Sequence, residues 1–317
     1  TPCITNWSGG GSSTISGRMT LNGPCVIGVN GTSFTNNCVI AGAGGLIKGG
    51  TRPLVLGAVN TYSGNTTVNG GILLLKGNGS ISSSANIFIT AGATLDASAR
   101  NDATLTLAAA QTISGNGTLN GNVVVGDGAA LAPGNSIGTL AFDGDLNLNG
   151  GSTTVMAVDK NAISSNSVAQ VAGSLTCGGT LLITNLGSIP FAAGDSFKLF
   201  NAAKYNGTFT NIVPALPGIN LAWDADGLTN GVLSVVATPT SSPCFRGIIA
   251  GGDKLVFSGN GGVPNWPYLV LVSTNIGLPV SQWVPVMTNT FDANGNFDFT
   301  NLFNFSLSRW FCLLRLQ

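Results

Sequence analysis

The residues best suited to chemistry are six cysteines, two close aspartate pairs, one Asp/Asn-rich loop and a late cluster of aromatics. The cysteines are Cys3, Cys25, Cys38, Cys177, Cys244 and Cys312. None forms a CxxC pair, and the chain has no histidine to complete a mixed zinc site, so no structural metal is expected. An even number of cysteines in a chain of extracellular character points to disulfides. Cys25 with Cys38 closes a short loop, Cys244 with Cys312 would staple a C-terminal module, and Cys3 with Cys177 remains, or either bonds to a neighbouring subunit. Asp143 with Asp145, and Asp224 with Asp226, sit two residues apart, which on a strand places both carboxylates on one face. Paired carboxylates could cleave or bind sugars. The plainer reading is a turn or a strand end, and it is preferred. The stretch Asp292 to Asp298 (DANGNFD) offers hard oxygens for calcium, but it lacks the glutamate and spacing of a calcium loop. A hairpin turn at Asn294-Gly295 is the better expectation. Trp266, Tyr268 and Trp283 could stack on sugars, or could simply fill the core of a small module.

Catalysis is otherwise poorly supplied. Every acidic residue is aspartate; glutamate and histidine are absent. That removes the usual acid/base side chain and every histidine-based triad. Charged residues make up 8% of the 317 residues, against roughly 25% in an ordinary globular chain. The 12 basic and 12 acidic residues cancel, and no basic stripe exists for nucleic acid or a polybasic membrane patch. No cofactor and no nucleic-acid partner is expected. No apolar run reaches the ~20 residues of a membrane helix. Starting at Thr1, the chain is expected to have lost a signal peptide. Seven Asn-x-Ser/Thr sequons, at Asn6, Asn30, Asn65, Asn78, Asn116, Asn206 and Asn304, are candidate glycosylation sites.

The elements that must position these residues are strands. Good helix formers are scarce, while Gly (46 residues), Asn, Thr, Ser and the branched aliphatics dominate. Apolar residues alternate with Thr, Asn or Ser, as in Leu140, Phe142, Leu146 and Leu148, which is the period of a half-buried strand. Gly and Asn-Gly close each unit, where φ must turn positive. A recurrence of about 20 residues suits stacked coils of a parallel β-helix, each coil about 4.8 Å beyond the last. An antiparallel sandwich with tight turns is the alternative.

The stretches YSGNTTVNGGILLL, QTISGNGTLNGNVVVGDGAALAPGNSIGTLAFDGDLNLNGGS and GSLTCGGTLLITNLGSIPFAAGDSFKLF carry a resemblance. The run Tyr62 to Val236 resembles the autotransporter passenger-associated β-strand repeat of bacterial surface proteins, with LAPGNSIGTL its most specific part. The resemblance implies a right-handed parallel β-helix displayed outside the cell. It carries no catalytic motif, so no site residue transfers from it. Cys177 stands where the repeat usually has a small or polar residue.

A Pro/Ser/Thr linker from Ala237 to Cys244 marks a boundary, after which aromatics rise. The expected organisation is a cap or irregular first coils over residues 1–60, β-helix repeats over 61–160, a β-rich continuation or cap over 161–240, and a β-sandwich of about seven strands over 241–317. That last part resembles a short C-terminal β module found on secreted repeat proteins of environmental bacteria. The fold expected is therefore all-β, a parallel β-helix solenoid followed by a small sandwich.

The function expected first is a non-enzymatic extracellular structural protein, a subunit of a fibre or surface layer. It would self-associate head-to-tail into a homopolymer, because coil ends present strand edges that want partners. A surface-displayed adhesin or carbohydrate-binding protein, with glycans as partners, is the alternative. A polysaccharide lyase or glycosidase is the weakest reading.

Overall fold

The structure is a computed structural model that describes residues 4–6, 12–15, 17–163, 165–238, 243–251, 254–302 and 311–316. It divides into two compact units, Thr1–Ala237 and Thr238–Gln317. Both are built of strands; the described residues contain two short 3-10 turns, Asp226–Asn230 and Val280–Gln282, and no α-helix.

The first unit is a parallel β-helix solenoid. One of its sheets has ten strands in chain order, beginning Ile4–Asn6, Cys25–Val29, Leu46–Gly49, Thr66–Val68 and Asn86–Ile89 and ending Thr180–Asn185, Asn211–Val213. Cys25 pairs with Leu46, Leu46 with Thr66 and Thr66 with Ile87, so the chain returns to the same place roughly 20 residues further on. The other large sheet has twelve strands and is made of two ladders. One climbs from Ser13–Ile15 to Thr139–Phe142, the other from Thr104–Leu107 to Leu146–Leu148, and both meet the long strand Val168–Cys177. Residues 1–60 supply coils to these same ladders from Ile4 onward.

The coils close because side chains alternate inward and outward. Cys25, Ile27 and Val29 are buried while Val26 and Gly28 are half-buried. Leu54, Leu73, Leu95 and Leu119 stack on one another through in-register pairing, each fully or almost fully buried. At about 25 cal/mol per Å² of apolar surface removed from water, this continuous stack supplies the main drive for folding. Glycine lets the backbone of one coil rest directly on the next. A Cβ on Gly44 would collide with the Gly23 carbonyl, and one on Gly64 would collide with Gly44. The end of the solenoid is not left open. Strands Ser196–Lys198, Val232–Ala237 and Leu221–Asp224 form an antiparallel sheet, and its Phe197, Leu233 and Val235 join the solenoid core.

The second unit is a β-sandwich with six described strands. Cys244–Gly251, Lys254–Asn260 and Phe297–Leu302 form one antiparallel sheet, with Lys254–Asn260 central. Val284–Thr290, Pro267–Ser273 and Phe311–Leu316 form the other, with Pro267–Ser273 central. Phe257, Tyr268, Val270, Phe291, Phe297 and Phe299 fill the space between. The Phe257 and Phe299 rings stack with centroids 5.0 Å apart.

Asn294-Gly295 does turn, with φ +75° at Gly295, but it does not close a hairpin. The strands before and after it belong to different sheets, so the turn is a corner between the layers. A local Asn-Gly signal specifies the reversal; which strand pairs with which is set by long-range packing.

Candidate functional site

An open cleft of about 820 Å³ lies on the sandwich, lined by polar side chains from both sheets and the corner between them. Its first wall comes from strand alternation. Phe257, Phe297 and Phe299 point into the core, so their neighbours Ser258 and Asp298, which pair directly across the sheet, line the outer surface. A bulge between Phe245 and Gly247 sets Arg246 apart on the adjoining strand. The Arg246 guanidinium donates to the Asn260 Oδ1 at 3.0 Å.

The second wall is the corner at Asp292. Its Oδ1 accepts the N–H groups of Asn294 and Asn296, each at 2.8 Å, and its Oδ2 accepts the Asn296 amide at 2.9 Å. The Asn296 side chain, followed by those backbone N–H groups, holds the Asp292 carboxyl below the usual carboxylate range. Asn265 and Asn289 complete the rim. Asp292 is consumed by its own turn, whereas the Asp298 carboxylate accepts no hydrogen bond from any described residue. The cleft thus offers a guanidinium donor, one available carboxylate and several amides that both donate and accept. That set suits a ligand rich in hydroxyls. Phe291 and Phe297 touch the cleft but are buried, at 2% and 5% exposure, and present no ring face for stacking.

The sugar-stacking candidates lie elsewhere. Tyr268 is fully buried, and its hydroxyl donates to the Asp298 carbonyl at 3.3 Å. Trp266 packs against the sandwich core, and the Trp283 indole donates to the Leu278 carbonyl at 3.0 Å. Neither aspartate pair forms a carboxylate couple. Asp145 accepts the Ser174 N–H at 2.7 Å from the next coil, and Asp224 accepts the Asp226 N–H at 3.1 Å.

No disulfide joins two described cysteines. Cys25 is buried in the ten-stranded sheet, whereas Cys38 follows a strand of the twelve-stranded sheet. The Cys38 sulfur accepts the Gly17 N–H at 2.6 Å. Cys244 and Cys312 start or occupy strands of opposite layers in the sandwich. Burial pushes the Cys177 and Cys312 thiols up to about 11. Cys3 lies outside the described residues.

Among the sequons, Asn30, Asn65, Asn78 and Asn206 are exposed. Asn65 and Asn78 accept amide hydrogen bonds from Asn86 (3.0 Å) and Asn101 (2.7 Å) one coil on, so they belong to amide ladders that tie the coils together. The Asn116 side-chain Oδ1 is buried without a hydrogen-bond partner among the described residues. Asn6 lies in a described strand whose side chains are not described, and Asn304 lies outside the described residues.

Sequence reasoning missed a buried polar column in the solenoid. Lys48 is fully buried, and its ammonium donates to the carbonyls of Gly49 (2.8 Å), Gly50 (2.9 Å) and, one coil on, Gly70 (2.8 Å). Burial pulls its pKa down to about 8. The alternation Leu46-in, Ile47-out, Lys48-in was the available signal. Nearby, the Tyr62 hydroxyl meets the Thr66 Oγ1 at 2.6 Å, and Thr66 donates to the Ser84 Oγ at 2.9 Å. Burial pushes the Tyr62 pKa up. These hydrogen bonds join one coil to the next.

No protein-family profile matches the chain. Over 88 residues, 25% of its length, it is 39% identical to the adhesin BmaC autotransporter of Brucella suis biovar 1 (strain 1330). The match spans 2% of that much longer protein. It agrees with a relation to autotransporter passengers. No helix among the described residues is long and apolar enough to cross a membrane.

Proposed function

We propose that this chain is part of a surface-displayed, adhesin-like protein, in which the solenoid is a spacer and the sandwich cleft receives a hydroxyl-rich glycan. The observation that carries the reading is the local likeness to an autotransporter adhesin. The cleft's set of Arg246, Asp298 and asparagine amides supports it. The same likeness supports a location at the cell surface or in secreted material. No catalysis is part of the reading: the chain has neither Glu nor His, and Asp292 is held by its own turn.

The end-to-end fibre is the weaker reading. It relied on coil edges seeking a partner at both ends, and the antiparallel sheet carrying Phe197, Leu233 and Val235 already covers the core at one of them. The test is a glycan array probed with the full chain, followed by Arg246→Ala and Asp298→Ala. Saturable binding that both substitutions abolish, with melting unchanged, is the expected result. Absence of binding to any glycan, or binding indifferent to both substitutions, overturns the assignment of the cleft.

A further inference from the structure

The strand Cys244–Gly251 is an edge of its sheet, paired on one side with Lys254–Asn260 and, among the described residues, with no strand on the other. It is also open on both faces. The bulge at Arg246 puts Phe245 and Ile248 on the inward side. Phe245 meets the core rings of Phe297 and Phe257 at 5.3 and 5.8 Å, and Ile248 pairs directly with Phe257. An inward position in a finished sandwich is buried, as Phe257, Phe297 and Phe299 are at 5% exposure. Phe245 is 38% exposed and Ile248 61%; the outward-facing Ile249 is 68%. Among the described residues, the hydrophobic core therefore runs out to a flank that no other strand covers, and an apolar strand borders it.

The other edges carry devices that discourage pairing. Val284–Thr290 has Pro285 at a bulge, Phe297–Leu302 has Asp298 and Phe311–Leu316 has Arg315. Cys244–Gly251 has its bulge and its one charge, Arg246, near its start, and the apolar run Gly247 to Gly251 that follows carries no proline and no charge.

We propose that this flank is a self-association surface, at which two copies of the chain pair their Cys244–Gly251 strands antiparallel about a two-fold axis. Three observations favour a second copy as the occupant. In antiparallel pairing, residues directly opposite share a face. Setting Ile248 against Ile248 keeps both inward faces on one side, so the two uncovered flanks merge into one core. In that register Arg246 of each copy falls opposite Ala250 of the other, and like charges do not meet. The chain's 12 positive and 12 negative charges leave no net repulsion to oppose contact. Such a contact is isologous and closes at two copies, unlike a head-to-tail filament. Since Arg246 also lines the cleft, pairing would bring two clefts together and make binding bivalent. The pairing itself does not depend on what the cleft binds.

Sedimentation of the full 31.9 kDa chain should show a species of doubled mass as concentration rises. Ile248→Lys should abolish that species, whereas Val286→Lys, on the opposite sheet's edge strand, should leave it intact. Amide hydrogen exchange of the wild type should show protection over Gly247 to Gly251 that grows with concentration. This second measurement stands even if the lysine variant folds poorly. A wild-type chain that stays single up to on the order of 100 µM overturns the proposal, as does a doubled species that survives Ile248→Lys. Pairing with Lys254–Asn260 already protects alternate amides of this strand in a single copy; protection of the remaining, outward-directed amides that does not change with concentration also overturns the proposal, and would place another part of the same chain over the flank.

Discussion

Lys48 gives the sharpest test of how the solenoid is held together. Replacing it with Met keeps an unbranched apolar stem, one atom shorter, and removes the titrating head. Two opposing terms result. The carbonyls of Gly49, Gly50 and Gly70 lose their donor, at about 1 kcal/mol each. Against this, the variant no longer buries an ammonium, whose pKa falls from its ordinary 10.5 to about 8. That difference corresponds to about 3 kcal/mol. The two terms nearly cancel at pH 7, so the variant should lie within roughly 1 kcal/mol of the wild type there. The pH dependence separates them. Between pH 8 and 10.5 the folded protein sheds the Lys48 proton while the unfolded chain keeps it. The unfolded state then binds more protons, and stability rises with pH. The wild type should therefore gain about 3 kcal/mol on the variant across this window and nothing below it. Cys177 and Cys312, held protonated up to about 11, pull stability down above their ordinary 9, but they do so in both proteins and cancel in the difference. The assay is guanidinium unfolding followed by circular dichroism at pH 7, 8, 9 and 10. Parallel stability curves for the two proteins would refute the reasoning, since a solvated lysine would titrate alike in both states.

Three further outcomes follow from packing. Gly115→Ala should destabilise by about 2–4 kcal/mol, read from the denaturation midpoint, because Gly115 has φ +116° and a Cβ there would collide with the Ile89 carbonyl. Leu119→Ala should cost about 2–5 kcal/mol in the same assay, because Leu119 is 1% exposed between Leu95 and Phe142 in the stack. Cys177, buried with its thiol pushed up to about 11, should resist alkylation at pH 8 until the chain is unfolded, which mass spectrometry would show; rapid labelling of it in native protein would contradict its burial and raised pKa.

Much of the fold was legible in sequence because its causes are local. Alternation in Thr139–Phe142 and Leu146–Leu148 states which residues face inward, and the spacing of glycines states where the chain must turn. The shortage of helix formers excluded helices, and the shift to aromatics after Ala237 agreed with a second core. These are properties of a residue and its immediate neighbours, and a solenoid repeats them coil after coil, so the pattern accumulates along the chain.

Partnership across the fold was decided by the tertiary structure alone. Asn294-Gly295 marked a reversal truly, but only the packing of two layers made it a corner in place of a hairpin. The cysteines suggested pairs by loop length, yet Cys25 and Cys38 fall in different sheets because alternation and coil stacking, stabilised by the whole core, place each strand first. Tyr268 had the chemistry of a sugar platform and became core, with Trp266 packed against it, while the cleft formed from asparagines scattered between Arg246 and Asp298 along the chain and from those two residues themselves. Lys48 had the type of a surface charge. Its burial depends on three carbonyls, one of them supplied by the following coil, and no sequence pattern within a single coil can state that the next coil will bring it.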